Sequence, residues 1–129
     1  MRDLHHLLAI LVVVATVTLL AAGGWSAFAT RRSGGTRDHR FAVDRLVVAV
    51  IGLVLVNGLL GLVLIGTDGR PADALHLLYG PAALVTLPVG VSLSRRASVR
   101  AAAPQRSDAW LVVATIVLLG IELRLFATG

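Results

Sequence analysis

Residues 46–66 read LVVAVIGLVLVNGLLGLVLIG, an apolar stretch without a charged side chain. Crossing a hydrocarbon core of about 30 Å takes about 20 helical residues, and this stretch has that length. Three further stretches are predominantly apolar and of similar length, so we predict membrane spans at about 4–28, 46–66, 74–93 and 109–127. Because backbone groups inside a bilayer must be hydrogen-bonded within the segment itself, each span is predicted to be an α-helix.

The rest of the chain leaves little room for a soluble domain. Of its 129 residues, 57% are hydrophobic and only 15% are charged, and the mean hydropathy is +0.86. An ordinary soluble domain has a charged share of about 25%. We therefore predict one all-α domain over residues 1–129, an antiparallel four-helix transmembrane bundle. The first span is expected to be retained, because its apolar run is too long for a secretory signal and its positive charge follows instead of preceding it.

The basic residues are all arginines, and nine of the twelve lie in two connections, residues 31–45 and 95–106. The positive-inside rule places both connections on the cytoplasmic side, so both ends of the chain are expected to face outward, N-out and C-out. Topology and contact with anionic lipid account for the net charge of +5, and nucleic acid is not an expected partner. The absence of cysteine excludes thiolate metal sites and covalently attached c-type haem.

Three histidines are predicted to lie at similar depth. In an up-down-up-down bundle, helices one and three begin on the same, outer side; His5 and His6 open helix one and His76 opens helix three. The helical line through His5 carries mainly small or mildly polar residues, whereas the line through His6 suits lipid. The His5 line continues with Ala9, Val12, Thr16, Gly23 and Ser26. Small residues mark helix contacts in membranes, so we expect His5 to face the interior and His6 the lipid or the interface.

Helix three repeats this pattern, because Gly80 follows His76 by one turn as Ala9 follows His5. A flat ring ligated by these histidines would lie along the helices at those small residues. The pair fits bis-histidine ligation of one haem b by His5 and His76, with His6 as the alternate ligand, since imidazole suits iron. Two alternatives stay open: histidines packed at the membrane interface, and a zinc or copper ion held by the three imidazoles.

Four other residues are candidates for contact with such a cofactor. Arg70 and Arg124 are expected near the outer surface, where arginine pairs well with propionates. Tyr79 and Asn57 are candidates for supporting contacts to the ligands. Asn57 lies near mid-membrane, where interhelical hydrogen bonding or contact with a quinone also explains an amide. Glu122 lies close to the same outer end as Arg124, but residues two apart on a helix do not face each other.

The sequence resembles small four-helix bacterial membrane proteins. The resemblance is carried by LVNGLLGLVLIGTDGRPADALHLLYGPAALVTLP at 55–88 and by LRLFATG at 123–129. The shared pattern has a histidine opening the first helix, a polar amide before Leu-Leu-Gly, a Leu-His-x-Leu-Tyr-Gly motif, and an arginine with a terminal Thr-Gly. Here these are His5, Asn57, His76 with Tyr79 and Gly80, and Arg124 with Thr128 and Gly129. The amide is more often glutamine in that pattern.

More distantly, the layout is similar to one half of haem A synthase and to other four-helix membrane cytochrome b proteins, which place a haem between histidines two helices apart. The resemblance implies a multi-pass protein of the bacterial cytoplasmic membrane. We expect a b-type haem-binding protein in electron transfer, or an accessory subunit of a larger redox or energy-conserving complex, respiratory or photosynthetic. Its partners would be other membrane subunits, lipid and a quinone.

A self-contained enzyme is not expected. One haem near one face cannot carry electrons across the bilayer, and no hydrolase elbow or phosphate-binding loop appears in the sequence. Two further hypotheses remain. One is a cofactor-free structural or assembly subunit that packs through its small-residue stripes. The other is a subunit that binds chlorophyll-type pigment, because imidazole also ligates magnesium in such pigments.

Overall fold

The computed structural model describes four α-helices and, over those residues, no strand. They are α1 (Arg2–Ser33), α2 (Arg37–Asp68), α3 (Leu75–Arg100) and α4 (Gln105–Thr128). Side chains are described within them for residues 3–29, 41–67, 77–96 and 109–127. Each helix holds one segment that is long and apolar enough to cross a membrane, namely Asp3–Ala29, Phe41–Thr67, Leu77–Arg96 and Ala109–Ala127. The prediction of an all-helical chain with four potential spans is confirmed.

The helices extend beyond the spans predicted from hydropathy. The difference is largest at the arginine-rich ends, where α1 continues to Ser33, α2 already begins at Arg37 and α3 continues to Arg100. Arginine is a good helix former, so the backbone continues where the apolar character ends. α3 also runs through Pro81 and Pro88, both of which lie on its exposed side.

The four helices pack in a closed order. α3 packs most extensively against α4, α1 packs against both α4 and α2, and the α2–α3 interface is the smallest. Over the described residues, α1 does not come into backbone contact with α3, nor α2 with α4, so these pairs occupy opposite corners of the bundle. Between α1 and α4, Thr16 meets Glu122 and Gly23 meets Val112, a register in which these two helices run in opposite directions.

The bundle interior combines aliphatic and small polar side chains. The most deeply buried side chains come from all four helices: Thr16, Leu19, Val50, Leu87, Thr115 and Leu118. Large apolar side chains cover the outside of each helix, as expected for surfaces in contact with lipid. α3 and α4 approach each other closely at Gly90, because a Cβ atom added there would overlap the Cβ of Ala114. Small residues at such crossings are typical of membrane helix packing.

Candidate functional site

The polar line of α1 faces the interior, as the sequence indicated. Val12, Thr16, Gly23 and Ser26 are all buried. His5 is partly buried at the start of this line, whereas the next residue, His6, is exposed. The structure therefore distinguishes the two adjacent histidines in the way that the helical pattern predicts.

His5 enters the interface between α1 and α2 at a glycine. Its Cε1 atom lies 3.5 Å from the place that a Cβ would occupy on Gly61 of α2. A Cβ there would be at ordinary contact distance from the imidazole, and only a side chain longer than alanine would extend into the space held by the ring. The Nδ1 atom of His5 is buried. The rings of His5 and His6 have centroids 6.2 Å apart and planes tilted by 56°, so they are not stacked.

Asn57 lies one turn from Gly61 on the same face of α2. It is partly buried, and its Oδ1 atom is buried without a hydrogen-bond partner among the described residues. A buried amide oxygen without a donor costs about 1–3 kcal/mol. The neighbouring Gly58 faces α3, because a Cβ there would lie 3.7 Å from the Leu84 side chain. The face of α2 that contacts His5 at Gly61 therefore also carries a hydrogen-bond acceptor, Asn57 Oδ1.

The α3 part of the predicted site is described only in part. His76 is the second residue of α3, and its side chain lies outside the described set. The meeting of the His5 and His76 imidazoles therefore stays a prediction. Gly80, one turn further, is partly buried, and among the described residues no atom beyond its own stretch of helix backbone lies within 4 Å of the place for its Cβ. The predicted inward line continues with the buried residues Ala83, Leu87 and Gly90.

The remaining candidates differ in position. Ala9 and Tyr79 are partly buried, and Arg124 lies on an exposed part of α4. Arg70 lies outside the described residues. Within the described part of the chain, no three histidine, aspartate or glutamate side chains form a group that could hold a metal ion. The three-histidine metal site considered above includes His76, so it also stays a prediction.

Sequence reasoning missed a buried carboxyl group on α4. Glu122 is only 6% exposed, and the Thr16 hydroxyl of α1, which is fully buried, donates a 2.8 Å hydrogen bond to its Oε1. Its Oε2 is buried and has no hydrogen-bond partner among the described residues. A signal was present: Thr115, Leu118 and Glu122 recur at helical spacing on one face, and Glu122 is the only glutamate of the sequence.

The described interior thus holds two polar places. At one, His5 contacts α2 at Gly61, one turn from Asn57; at the other, Thr16 and Glu122 join α1 and α4. No protein-family model matches the chain, and neither a curated protein nor a solved structure matches it. The chemistry of these two places is therefore the basis for inferring a function.

Proposed function

We propose that this chain is a membrane-embedded b-type haem-binding protein that serves electron transfer, or acts as an accessory subunit, in a larger redox or energy-conserving membrane complex. The observation that carries the proposal is the imidazole of His5, which is turned into the bundle and given space by Gly61. Polar and ionisable side chains inside a membrane bundle are costly and usually have a functional partner. Haem iron is a partner that imidazole suits, and His76 supplies the second ligand.

The helix arrangement supports a flat macrocycle between α1 and α3. A ring held between two imidazoles needs its ligand-bearing helices to be apart, and these two occupy opposite corners without backbone contact over the described residues. Open space beside Gly80 and the small side chain of Ala9 lie one turn inward from the proposed ligands. These two small positions support placing the ring between α1 and α3.

Supporting residues would orient the ligands and the propionates. A histidine that ligates a metal usually donates its other ring N–H to an acceptor, and Asn57 Oδ1 is a buried acceptor one turn from Gly61 on α2. Tyr79, on α3, is the second candidate for such a contact. Arg124 and Arg70 would pair with the propionates. When bound, a bis-histidine haem b supplies one-electron transfer.

The proposed setting is the bacterial cytoplasmic membrane, with the arginine-rich connections inside and both ends of the chain outside. The haem would then lie near the outer face, because His5 is in the first turn of α1 and His76 in the first turn of α3. One haem at that depth covers only part of the membrane thickness. A quinone or another membrane subunit is therefore required as a partner for transmembrane electron transfer.

Visible spectroscopy of the purified protein tests the proposal. We expect a sharp b-type band on reduction with dithionite, lost in His5→Ala and in His76→Ala. His6→Ala and His39→Ala, the latter in the arginine-rich connection 31–45, are the matched controls and should keep the band, since neither imidazole is a proposed ligand in this assignment. Helical circular dichroism and a single peak in size-exclusion chromatography establish that each variant is folded.

Other spectra would indicate the absence of a cofactor, a different pigment or a different ligand. Folded wild-type protein that stays colourless after expression with excess haem precursor would refute haem binding and favour the cofactor-free structural subunit. A red absorption that dithionite does not change would favour a chlorophyll-type pigment. Loss of the band in His6→Ala but not in His5→Ala would assign the ligand to the neighbouring histidine and contradict the role given to Gly61.

A further inference from the structure

The second polar place, between α1 and α4, contains the only buried carboxyl group among the described residues. Glu122 is the last acidic residue of the chain and lies six residues before the end of α4, about 9 Å along the helix axis at a rise of about 1.5 Å per residue. It falls within the apolar span Ala109–Ala127. Glu122 is not among the residues proposed to contact the haem.

The surroundings of Glu122 provide one hydrogen bond for two oxygens. Thr16 donates to Oε1, and Oε2 has no hydrogen-bond partner among the described residues. An ionised carboxylate is an acceptor at both oxygens and is stable in a buried place only with several donors or a paired cation. A protonated carboxyl group needs fewer hydrogen-bond donors around it, because one oxygen carries the proton and the other accepts from the Thr16 hydroxyl.

No described cationic side chain faces Glu122 from the helices that pack against α4. The buried residues of α1 around Thr16 are Val12 and Leu19, and those of α3 are Ala83 and Leu87. The ionisable groups on these two helices that are partly buried are His5, eleven positions from Thr16, and Tyr79. On α4 itself, Arg124 is exposed on another face.

The site formed by Thr16 and Glu122 is less suited to a metal cation than to a proton. Hard cations take about six or more oxygen ligands. The other buried hydroxyl on this face of α4 is that of Thr115, which is already donated to the Leu111 carbonyl at 2.8 Å and lies two turns away. Thr16 and Glu122 alone offer three side-chain oxygens, too few for such an ion but enough to hold one proton.

We infer that Glu122 is a proton-binding site inside the bundle: a neutral carboxylic acid at pH 7, with its proton on Oε2 and the Thr16 hydroxyl donating to Oε1. Uptake or release of this proton changes the charge of the bundle interior by one unit. The Thr16 hydrogen bond fixes the carboxyl group against α1, so a change in protonation acts directly on the α1–α4 contact. The inference does not depend on haem binding.

Nuclear magnetic resonance can report the protonation state of the Glu122 carboxyl group directly, because the sequence has a single glutamate. Protein made in a cell-free system with glutamate carrying carbon-13 at the side-chain carboxyl gives one labelled site. In detergent micelles at pH 7, we expect its resonance at the position of a protonated acid. The same sample unfolded at pH 2 and at pH 7 provides the reference positions for the acid and for the carboxylate.

A matched variant moves the glutamate to an exposed place. In Asp44→Glu combined with Glu122→Gln, the labelled residue lies on the exposed side of α2, and its resonance should be that of a carboxylate at pH 7. Thr16→Val should move the wild-type resonance slightly while leaving it at the acid position, since only one hydrogen bond is lost. A carboxylate resonance for Glu122 in the folded wild-type protein at pH 7 would overturn the inference.

Discussion

The close approach of α3 and α4 at Gly90 leads to a quantitative prediction for Gly90→Ala. The added methyl group would overlap the Cβ of Ala114, and because both atoms are fixed to the backbone, no change of rotamer can separate them. The helices must move apart instead. Overpacking of this kind costs about 1–3 kcal/mol. Replacing glycine inside a helix also gains about 1 kcal/mol in helix propensity, which offsets part of that cost.

Gly52→Ala is the matched control, because no atom lies within 4 Å of the place for its Cβ. Both substitutions gain the same helix propensity, so the difference in their free energies of unfolding isolates the overlap, about 1–3 kcal/mol. Unfolding by sodium dodecyl sulfate in mixed micelles, followed by circular dichroism, measures that difference. The swapped variant Gly90→Ala with Ala114→Gly should be more stable than the sum of its single substitutions predicts. Equal stabilities of Gly90→Ala and Gly52→Ala would refute the packing argument.

Three further substitutions, each with a matched control, test other contacts. Thr16→Val should lower the free energy of unfolding by about 1–3 kcal/mol, because the buried glutamate loses its donor, whereas Thr16→Ser should stay near wild type in the same mixed-micelle assay. Gly61→Leu should displace the His5 ring and reduce the haem-to-protein ratio in the visible spectrum; Gly61→Ala, whose Cβ would be at ordinary contact distance, should retain haem. Leu118→Ala should lower the free energy of unfolding by about 2 kcal/mol, the lower end of the range for such truncations in packed cores. Val117→Ala on the lipid side should lower it by less than about 1 kcal/mol. Equal losses for the two variants would contradict the assignment of Leu118 to the buried face of α4.

Hydropathy was sufficient to locate the four spans, because a predominantly apolar stretch of that length has few alternatives to a membrane helix. The inward faces of α1 and α3 also followed from the sequence. Thr16 and Gly23 on one helix and Ala83 and Gly90 on the other are small or mildly polar at helical spacing, and all are buried. Side-chain size was informative here because lipid is as apolar as leucine, so hydrophobicity alone does not distinguish the two sides of a helix.

Long-range pairing could not be obtained in the same way. The hydrogen bond from Thr16 to Glu122 joins residues that are 106 positions apart, and nothing in the α4 pattern specifies which helix faces its carboxyl group. The contact of His5 with Gly61 is similar: the sequence shows a histidine and a glycine, but the relative shift of α1 and α2 decides that they meet. Which face of a helix is buried can be predicted from that helix alone, whereas the residues it contacts on other helices depend on how the whole bundle packs.

The small interface between α2 and α3 has a consequence for cofactor entry. Over the described residues the other three adjacent pairs are in more extensive contact, so separating α2 from α3 loses the least packing. If the proposed haem binds, this pair of helices is the one that would part most easily to admit a planar hydrophobic molecule dissolved among the acyl chains. A crosslink that joins α2 and α3 before haem is supplied should then lower haem incorporation.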